Sequence, residues 1–173
     1  MEFLLRLKSW QLFLLVIIPC VSPDDTLVGR GINAVGFVVY IGWIYTIGCT
    51  MNLLVPPNVR PNLFYFKLSC LFIFAAYVAM FFIGGFTIDA GNVHDYGYWI
   101  WLLIPLTFYM LWSMLYIFAF AARMLESVIQ GNAVGVSGSL KAFFCFWFFP
   151  IGLWYIQPAV QRIIDDKSLG TDN

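Results

Sequence analysis

The chain has 173 residues, of which 62% are apolar, 20% aromatic and only 10% charged. Soluble globular domains carry about 25% charged residues, so the composition excludes an ordinary soluble domain and predicts one small helical membrane domain over residues 1–173. Nine Lys and Arg balance nine Asp and Glu, so the chain has no basic excess with which to bind nucleic acid.

The first apolar segment is predicted to span the membrane over about residues 4–22. Arg6 and Lys8 precede an uncharged stretch over residues 9–22, and their long side chains can reach the lipid headgroups. A cleaved signal peptide is the alternative, because a basic start followed by an apolar stretch is also its pattern. The retained span is preferred, since no Ala-x-Ala cleavage motif follows.

Three longer segments predict spanning helices over residues 32–54, 68–88 and 96–122. None of them contains a charged side chain, and a helix needs about 20 mostly apolar residues to cross the bilayer core. Residues 123–129 continue the helical pattern of the segment over residues 96–122, and Gly131 is predicted to end that helix.

The last apolar segment, residues 142–157, is short for a crossing, and Pro150 and Gly152 interrupt it. The sequence predicts that it enters from the cytoplasmic side and turns back near Pro150 and Gly152, or lies shallow at the interface. Gln157 is expected to satisfy a backbone group freed by the turn. The predicted fold is therefore all-α, with four transmembrane helices, a re-entrant or interfacial segment and a polar tail over 158–173. A fifth span is the alternative.

The distribution of Lys and Arg predicts the orientation, because cytoplasmic connections are enriched in them. Before the last apolar segment, the predicted cytoplasmic stretches hold Arg6, Lys8, Arg60, Lys67, Arg123 and Lys141. The opposite connections hold Arg30 alone. The N-terminus is therefore predicted to be cytoplasmic, and Arg162 and Lys167 favour a cytoplasmic tail.

The chemistry-bearing residues form no catalytic, cofactor or metal-binding motif. The four thiols, Cys20, Cys49, Cys70 and Cys145, lie far apart in or beside apolar segments and are interpreted as structural. His94 and Asp95 lie in a short polar connection that reads as a solvated turn. No Asp, Glu, Lys, Arg or His lies in the middle of a predicted span, which disfavours ion-coupled transport and intramembrane acid–base catalysis.

Small residues recur at four-residue spacing on two predicted helices. Gly42, Thr46 and Thr50 form one such stripe, and Ala75 and Ala79 form a second. Small side chains at this spacing let helix backbones approach closely in lipid. Packing within the chain is the preferred interpretation of both stripes, and an oligomer contact is the alternative.

The two ends of the chain resemble a pattern in small polytopic membrane proteins of Bacteroidota. The resemblance lies in residues 7–15 (LKSWQLFLL), residues 146–158 (FWFFPIGLWYIQP) and the stretch 123–127. It implies a bacterial inner membrane and carries no implied activity.

The sequence favours a non-enzymatic integral membrane protein that acts through helix packing, with a second copy or another membrane protein as its partner. A small oligomeric channel or pore-forming effector, assembled through Gly42, Thr46 and Thr50, is the alternative. A lipid-modifying enzyme using His94 and Asp95 is a third and less favoured hypothesis.

Overall fold

The computed structural model of the protein describes residues 3–21, 26–83, 97 and 99–170. Over these residues the chain is helical and contains no strand. The helices are α1 (Phe3–Arg6), α2 (Ser9–Cys20), α3 (Leu27–Leu54), α4 (Phe64–Ile83), α5 (Trp99–Gln130), α6 (Leu140–Trp147) and α7 (Phe149–Gly170). Short 3-10 turns at Pro57–Val59 and Ser137–Ser139 lie in the connections before α4 and α6.

Three helices are long and apolar enough to cross a membrane. Their apolar stretches are Val28–Leu54 in α3, Phe64–Phe82 in α4 and Trp101–Gln130 in α5, with 27, 19 and 30 residues. At about 1.5 Å of rise per residue, each covers most or all of a hydrocarbon core about 30 Å thick. The prediction of an all-helical chain with several potential membrane-spanning helices is confirmed at this level.

The helix ends differ from the predicted spans where local hydrogen bonds fix them. α3 begins before residue 32 because the Thr26 hydroxyl accepts a hydrogen bond from the Gly29 N–H at 3.0 Å. α4 begins before residue 68, and the Asn62 side chain accepts from the Phe64 N–H at 2.8 Å. α5 continues past residue 122 to Gln130, and Gly131 follows with a φ of +67°, as the sequence predicted. Residues 84–88 of the third predicted span lie outside the described residues.

The first segment is two helices, where the sequence predicted one span over residues 4–22. The backbone is extended at Lys8, with ψ of 149°, and the Lys8 N–H donates to the Gln11 side chain at 3.0 Å. α2 has 12 residues, about 18 Å of helix, which is short of a bilayer core about 30 Å thick. The helix therefore breaks between α1 and α2, and neither part alone has the length of a span.

The last apolar segment folds as a helical hairpin. The axes of α6 and α7 bend by 119° across the break at Phe148. Lys141 near the start of α6 lies over the ring of Tyr155 in α7, with Nζ 4.3 Å from the centroid. Since the α6–α7 break lies between these residues in sequence, α7 turns back alongside α6.

The break of the hairpin lies at Phe148, two residues before the predicted turn at Pro150 and Gly152. Pro150 instead lies in the first turn of α7. Backbone N–H groups there have no acceptor within the helix, so proline, which lacks this N–H, costs no hydrogen bond. Gly152 also lies in α7, and its N–H donates to the Phe148 carbonyl at 2.9 Å. α7 continues as one helix through the predicted polar tail from residue 158 to Gly170.

The described ends of the chain meet at one end of the bundle. The ring centroids of Phe13 in α2 and Trp154 in α7 lie 5.0 Å apart. The Leu5 carbonyl of α1 accepts a hydrogen bond from Gln161, which is farther along α7. α7 therefore runs antiparallel to α1 and α2. The later turns of α7 line a cavity together with Ile129 at the end of α5. The later turns of α7 therefore lie beside both α1 and the end of α5.

α3 is at the centre of the fold. It packs against α1, α2, α4 and α5, and it supplies the fully buried side chains Trp43, Ile44, Ile47 and Met51. The other helices close the core with Leu5, Leu12, Phe66, Ile73, Ile117, Leu125, Phe146 and Leu153.

Candidate functional site: the hairpin and its polar anchor

A buried glutamine on α7 joins three separate parts of the chain. Gln157 is fully buried, and its side-chain oxygen accepts a hydrogen bond from the indole N–H of Trp43 on α3 at 2.8 Å. Its amide nitrogen lies 3.2, 3.0 and 2.7 Å from the carbonyl oxygens of Leu4, Leu5 and Leu7. The amide has two N–H donors, so the three carbonyls share them.

These carbonyls need partners because the helix breaks after α1. The last carbonyls of any helix have no intrahelical donor, and a buried carbonyl without a partner is unfavourable, above all where no water is present. Gln161, one turn after Gln157, donates to the carbonyls of Leu5 and Leu7 at 3.3 and 2.8 Å. Gln157 and Gln161 thus cap the end of α1 from α7. Gln157 was expected to satisfy a backbone group freed by the turn of the hairpin. That prediction is wrong in its partner, because Gln157 bonds to carbonyls at the α1–α2 break.

The tip of the hairpin has its own anchor on α3. The hydroxyl of Tyr40 donates to the Phe146 carbonyl at 2.7 Å, close to the α6–α7 break. The Tyr40 ring also meets the ring of Phe149 edge-on, with centroids 4.9 Å apart, and Trp43 packs against Phe146 at 5.5 Å. Tyr40, Trp43, Gln157 and Gln161 are named the polar anchor. Their hydrogen bonds go to protein groups, so this arrangement fastens helices together.

Gly152 sets how closely the two arms of the hairpin approach. A Cβ at this position would overlap the backbone carbonyl of Cys145 on α6. That atom is backbone near the tip of a hairpin, and it cannot move aside as a flexible side chain can. Gly152 was predicted as part of the turn itself, and its role is instead the close contact next to the turn.

The two predicted small-residue stripes have different surroundings. Gly42 faces the side chain of Leu4, with 3.7 Å between an ideal Cβ and Leu4 Cδ1. Thr46 is buried and donates to the Gly42 carbonyl at 2.7 Å, and Thr50 is half-buried. Of this stripe, Thr46 lies inside the fold, and Gly42 and Thr50 are partly covered. Ala75 and Ala79 are exposed on the outer face of α4.

The closest helix contacts of α3 involve glycines that the sequence analysis did not single out. A Cβ on Gly36 would lie 2.6 Å from Pro19 Cβ and 3.1 Å from the Val16 carbonyl of α2. A Cβ on Gly48 would overlap the ring of Phe66, which stacks on Phe120 at 4.5 Å. Gly36 and Gly48 are 12 residues apart, so the regular four-residue spacing does not find them.

Of the residues considered for chemistry, the structure describes three thiols, and Cys49 of α3 and Cys70 of α4 lie within electrostatic range of each other. Cys49, Cys70 and Cys145 are free thiols, and the side chain of Cys20 lies outside the described part. His94 and Asp95 also lie outside the described residues. Within residues 3–21, 26–83, 97 and 99–170, no group of three His, Cys, Asp or Glu side chains is placed to hold a metal ion.

Comparison with protein-family models, with curated proteins and with solved structures gives no match to this chain.

Proposed function

We propose that the chain is a non-enzymatic integral membrane protein that acts by packing against a second copy of itself. In this proposal four segments cross the bilayer of a bacterial inner membrane, namely α1 and α2 together, α3, α4 and α5, and the α6–α7 hairpin is re-entrant from the cytoplasmic side. The alternating Lys and Arg content of the connections supports a cytoplasmic N-terminus and tail. The resemblance of the chain ends to Bacteroidota membrane proteins supports the choice of membrane.

The observation that carries the packing proposal is an exposed pair of small residues on α4, a helix that this chain covers little. Over their apolar stretches, 22% and 17% of residues are buried, against 44% for α3. Lipid can cover apolar side chains as well as protein can, so the decisive feature is the exposed pair Ala75 and Ala79. In lipid, small residues four positions apart favour close approach of another helix.

A second copy is the occupant that this face fits best. A two-fold contact brings the same patch of both copies together. If two α4 helices cross at Ala75 and Ala79, the small residues of one copy therefore face the small residues of the other. Exposed Leu71, Phe74 and Phe82 flank the pair and would pack on either side.

Enlarging the alanine pair is expected to dissociate the assembly. The variant Ala75→Ile/Ala79→Ile separates the two backbones and should weaken self-association by about tenfold or more, or about 1.4 kcal/mol. Particle mass in a mild detergent and single-molecule photobleaching in bilayers measure this effect.

The control for this experiment is Val35→Ile/Val38→Ile, which enlarges two exposed side chains on α3 and leaves α4 unchanged. We expect it to associate as the parent does. A parent chain that is monomeric in bilayers at high protein density would overturn the proposal, as would equal effects of the two double variants.

We do not propose a pore or a lipid-modifying enzyme. The pore hypothesis relied on Gly42, Thr46 and Thr50 as an oligomer contact, but Gly42 faces Leu4 of α1 and Thr46 is buried within the chain. No observation favours the enzyme hypothesis.

A further inference from the structure

A cavity of about 430 Å³ lies between the last turn of α5 and the later turns of α7. Binding sites for small molecules commonly have volumes of about 300–1,000 Å³, so the cavity has room for a ligand group. Its lining residues are Val128, Ile129, Ala159, Arg162, Ile163 and Asp166.

The apolar part of this lining is accessible to a ligand. Ile129 is 49% exposed, and Val128 and Ile163 are partly exposed. The three side chains form an apolar wall that spans both helices. A ligand that covers this wall with its own carbon atoms gains from the removal of apolar surface from water.

The charged part of the lining is one cation beside one carboxylate. Arg162 and Asp166 are exposed, and among the described residues neither forms an ion pair, either with the other or with a third side chain. They are four residues apart on α7, so they lie on the same helix face with Cβ atoms about 5–6 Å apart. The cavity therefore presents a positive and a negative group side by side and has no net charge.

The cavity lies at the level of the lipid headgroups in the proposed membrane placement. The apolar stretch Trp101–Gln130 has 30 residues, about 45 Å of helix, so its last turns pass beyond a hydrocarbon core about 30 Å thick. On the other side of the cavity, α6 has 8 residues and takes the tip of the hairpin only about 12 Å deep. Arg162 lies 14 residues after the break at Phe148, about 21 Å along α7, and is back at the membrane surface.

We infer that this cavity binds the zwitterionic headgroup of phosphatidylethanolamine, an inference that rests on the proposed membrane placement. In the bound state Arg162 donates hydrogen bonds to the phosphate oxygens, and Asp166 accepts hydrogen bonds from the primary ammonium. The apolar wall contacts the glycerol and the first acyl carbons. The one negative and one positive charge of the headgroup match the charges of the two side chains.

Two other headgroups match the cavity less well. Phosphatidylcholine carries the same phosphate, but its quaternary ammonium has no N–H to donate to Asp166. Phosphatidylglycerol carries the phosphate without any ammonium, so the Asp166 carboxylate has no cation to pair with and repels the net negative charge of this lipid. The cavity should therefore prefer phosphatidylethanolamine to both.

Lipid retention in nanodiscs tests the inference. The full chain is placed in bilayers with equal amounts of phosphatidylethanolamine and phosphatidylcholine, and the lipids retained on the protein are identified by native mass spectrometry. The parent should retain more phosphatidylethanolamine. An exposed ion pair contributes up to about fivefold to an affinity, so Asp166→Asn should lower the ratio of the two retained lipids by about two- to fivefold. Arg162→Gln should lower the retention of both by a similar factor and keep their ratio, because both carry the phosphate.

The matched control is Asp165→Asn, which removes the adjacent carboxylate of α7 and lines a different cavity. It should leave the ratio as in the parent. An equal loss for Asp165→Asn would show an effect of general surface charge and would overturn the inference, as would equal retention of the two lipids by the parent. Replacing phosphatidylethanolamine with phosphatidylglycerol should abolish the preference, and an undiminished preference would contradict the role of Asp166.

A soluble headgroup distinguishes a lipid ligand from a free one. Millimolar glycerophosphoethanolamine, which lacks acyl chains, should leave phosphatidylethanolamine bound, and displacement would contradict the lipid assignment. A chain that fails to enter the nanodiscs would contradict the membrane placement and this inference together. Photobleaching of the same preparations reports self-association separately, so insertion and self-association without lipid enrichment would overturn this inference alone.

Discussion

Replacing Gln157 with leucine is expected to lower the free energy of unfolding by about 3 kcal/mol, because each buried polar group left unpaired costs about 1–3 kcal/mol. The substitution removes the acceptor of the Trp43 indole N–H and the main donors to the carbonyls of Leu4, Leu5 and Leu7. Unfolding of the detergent-solubilised protein, followed by tryptophan fluorescence, measures the change.

Two further variants separate the hydrogen bonds of Gln157 from its volume. Gln157→Glu keeps an acceptor for Trp43 but loses the donors to α1, so it should also destabilise the protein. Gln161→Leu removes bonds to two carbonyls that Gln157 still reaches, and its expected effect is below about 1 kcal/mol. If Gln157→Leu were as stable as the parent, the polar anchor would not hold α7 to α1.

Gly152→Ala is expected to lower the free energy of unfolding by about 3 kcal/mol or more and to open the hairpin, since overpacking a close contact commonly costs about 1–3 kcal/mol. Here the added methyl group meets the Cys145 carbonyl, which is backbone. The same unfolding measurement applies, and faster reaction of the Cys145 thiol with a maleimide should report the opening.

Gly31→Ala is the control for this substitution. Gly31 lies in α3 with open space around its Cα, so alanine there should stabilise the protein by about 0.4–1 kcal/mol through its better helix propensity. Equal destabilisation by the two substitutions would show that Gly152 has no special contact.

The potential spanning helices were predictable because the bilayer imposes a simple length and charge requirement. Residues 32–54 lack charge over the length that a crossing needs, and α3 covers them. The exact helix ends depend on single side chains, such as Thr26 at the start of α3. Such caps extend a helix beyond its apolar stretch, so hydropathy alone misplaces the ends.

The hairpin was predicted, but its break was placed two residues late. Pro150 and Gly152 signal that a helix is interrupted nearby. Proline is tolerated in the first turn of a helix, and glycine also serves a close backbone contact, so neither marks the break itself. The break at Phe148 is set by contacts of Tyr40 with Phe146 and Phe149, which are distant in sequence.

The break between α1 and α2 was not predicted, because its cause lies at the opposite end of the chain. Gln157 and Gln161 supply the donors that make the break tolerable. The small-residue stripes have a related ambiguity. Lipid and protein interior are similarly apolar, so the pattern alone did not distinguish the inner position of Gly42 from the outer position of Ala75.

Cysteine accessibility tests the central claim, that α6 and α7 form a hairpin which returns the tail to the side of the α5–α6 connection. Thr26→Cys, Val136→Cys and Asp166→Cys are made singly in a background lacking the four native thiols, and a membrane-impermeant maleimide is added to spheroplasts and to inverted vesicles. All three positions are exposed. We expect Asp166→Cys to be labelled from the same side as Val136→Cys and from the opposite side to Thr26→Cys. Labelling of Asp166→Cys together with Thr26→Cys would contradict it and establish a fifth span.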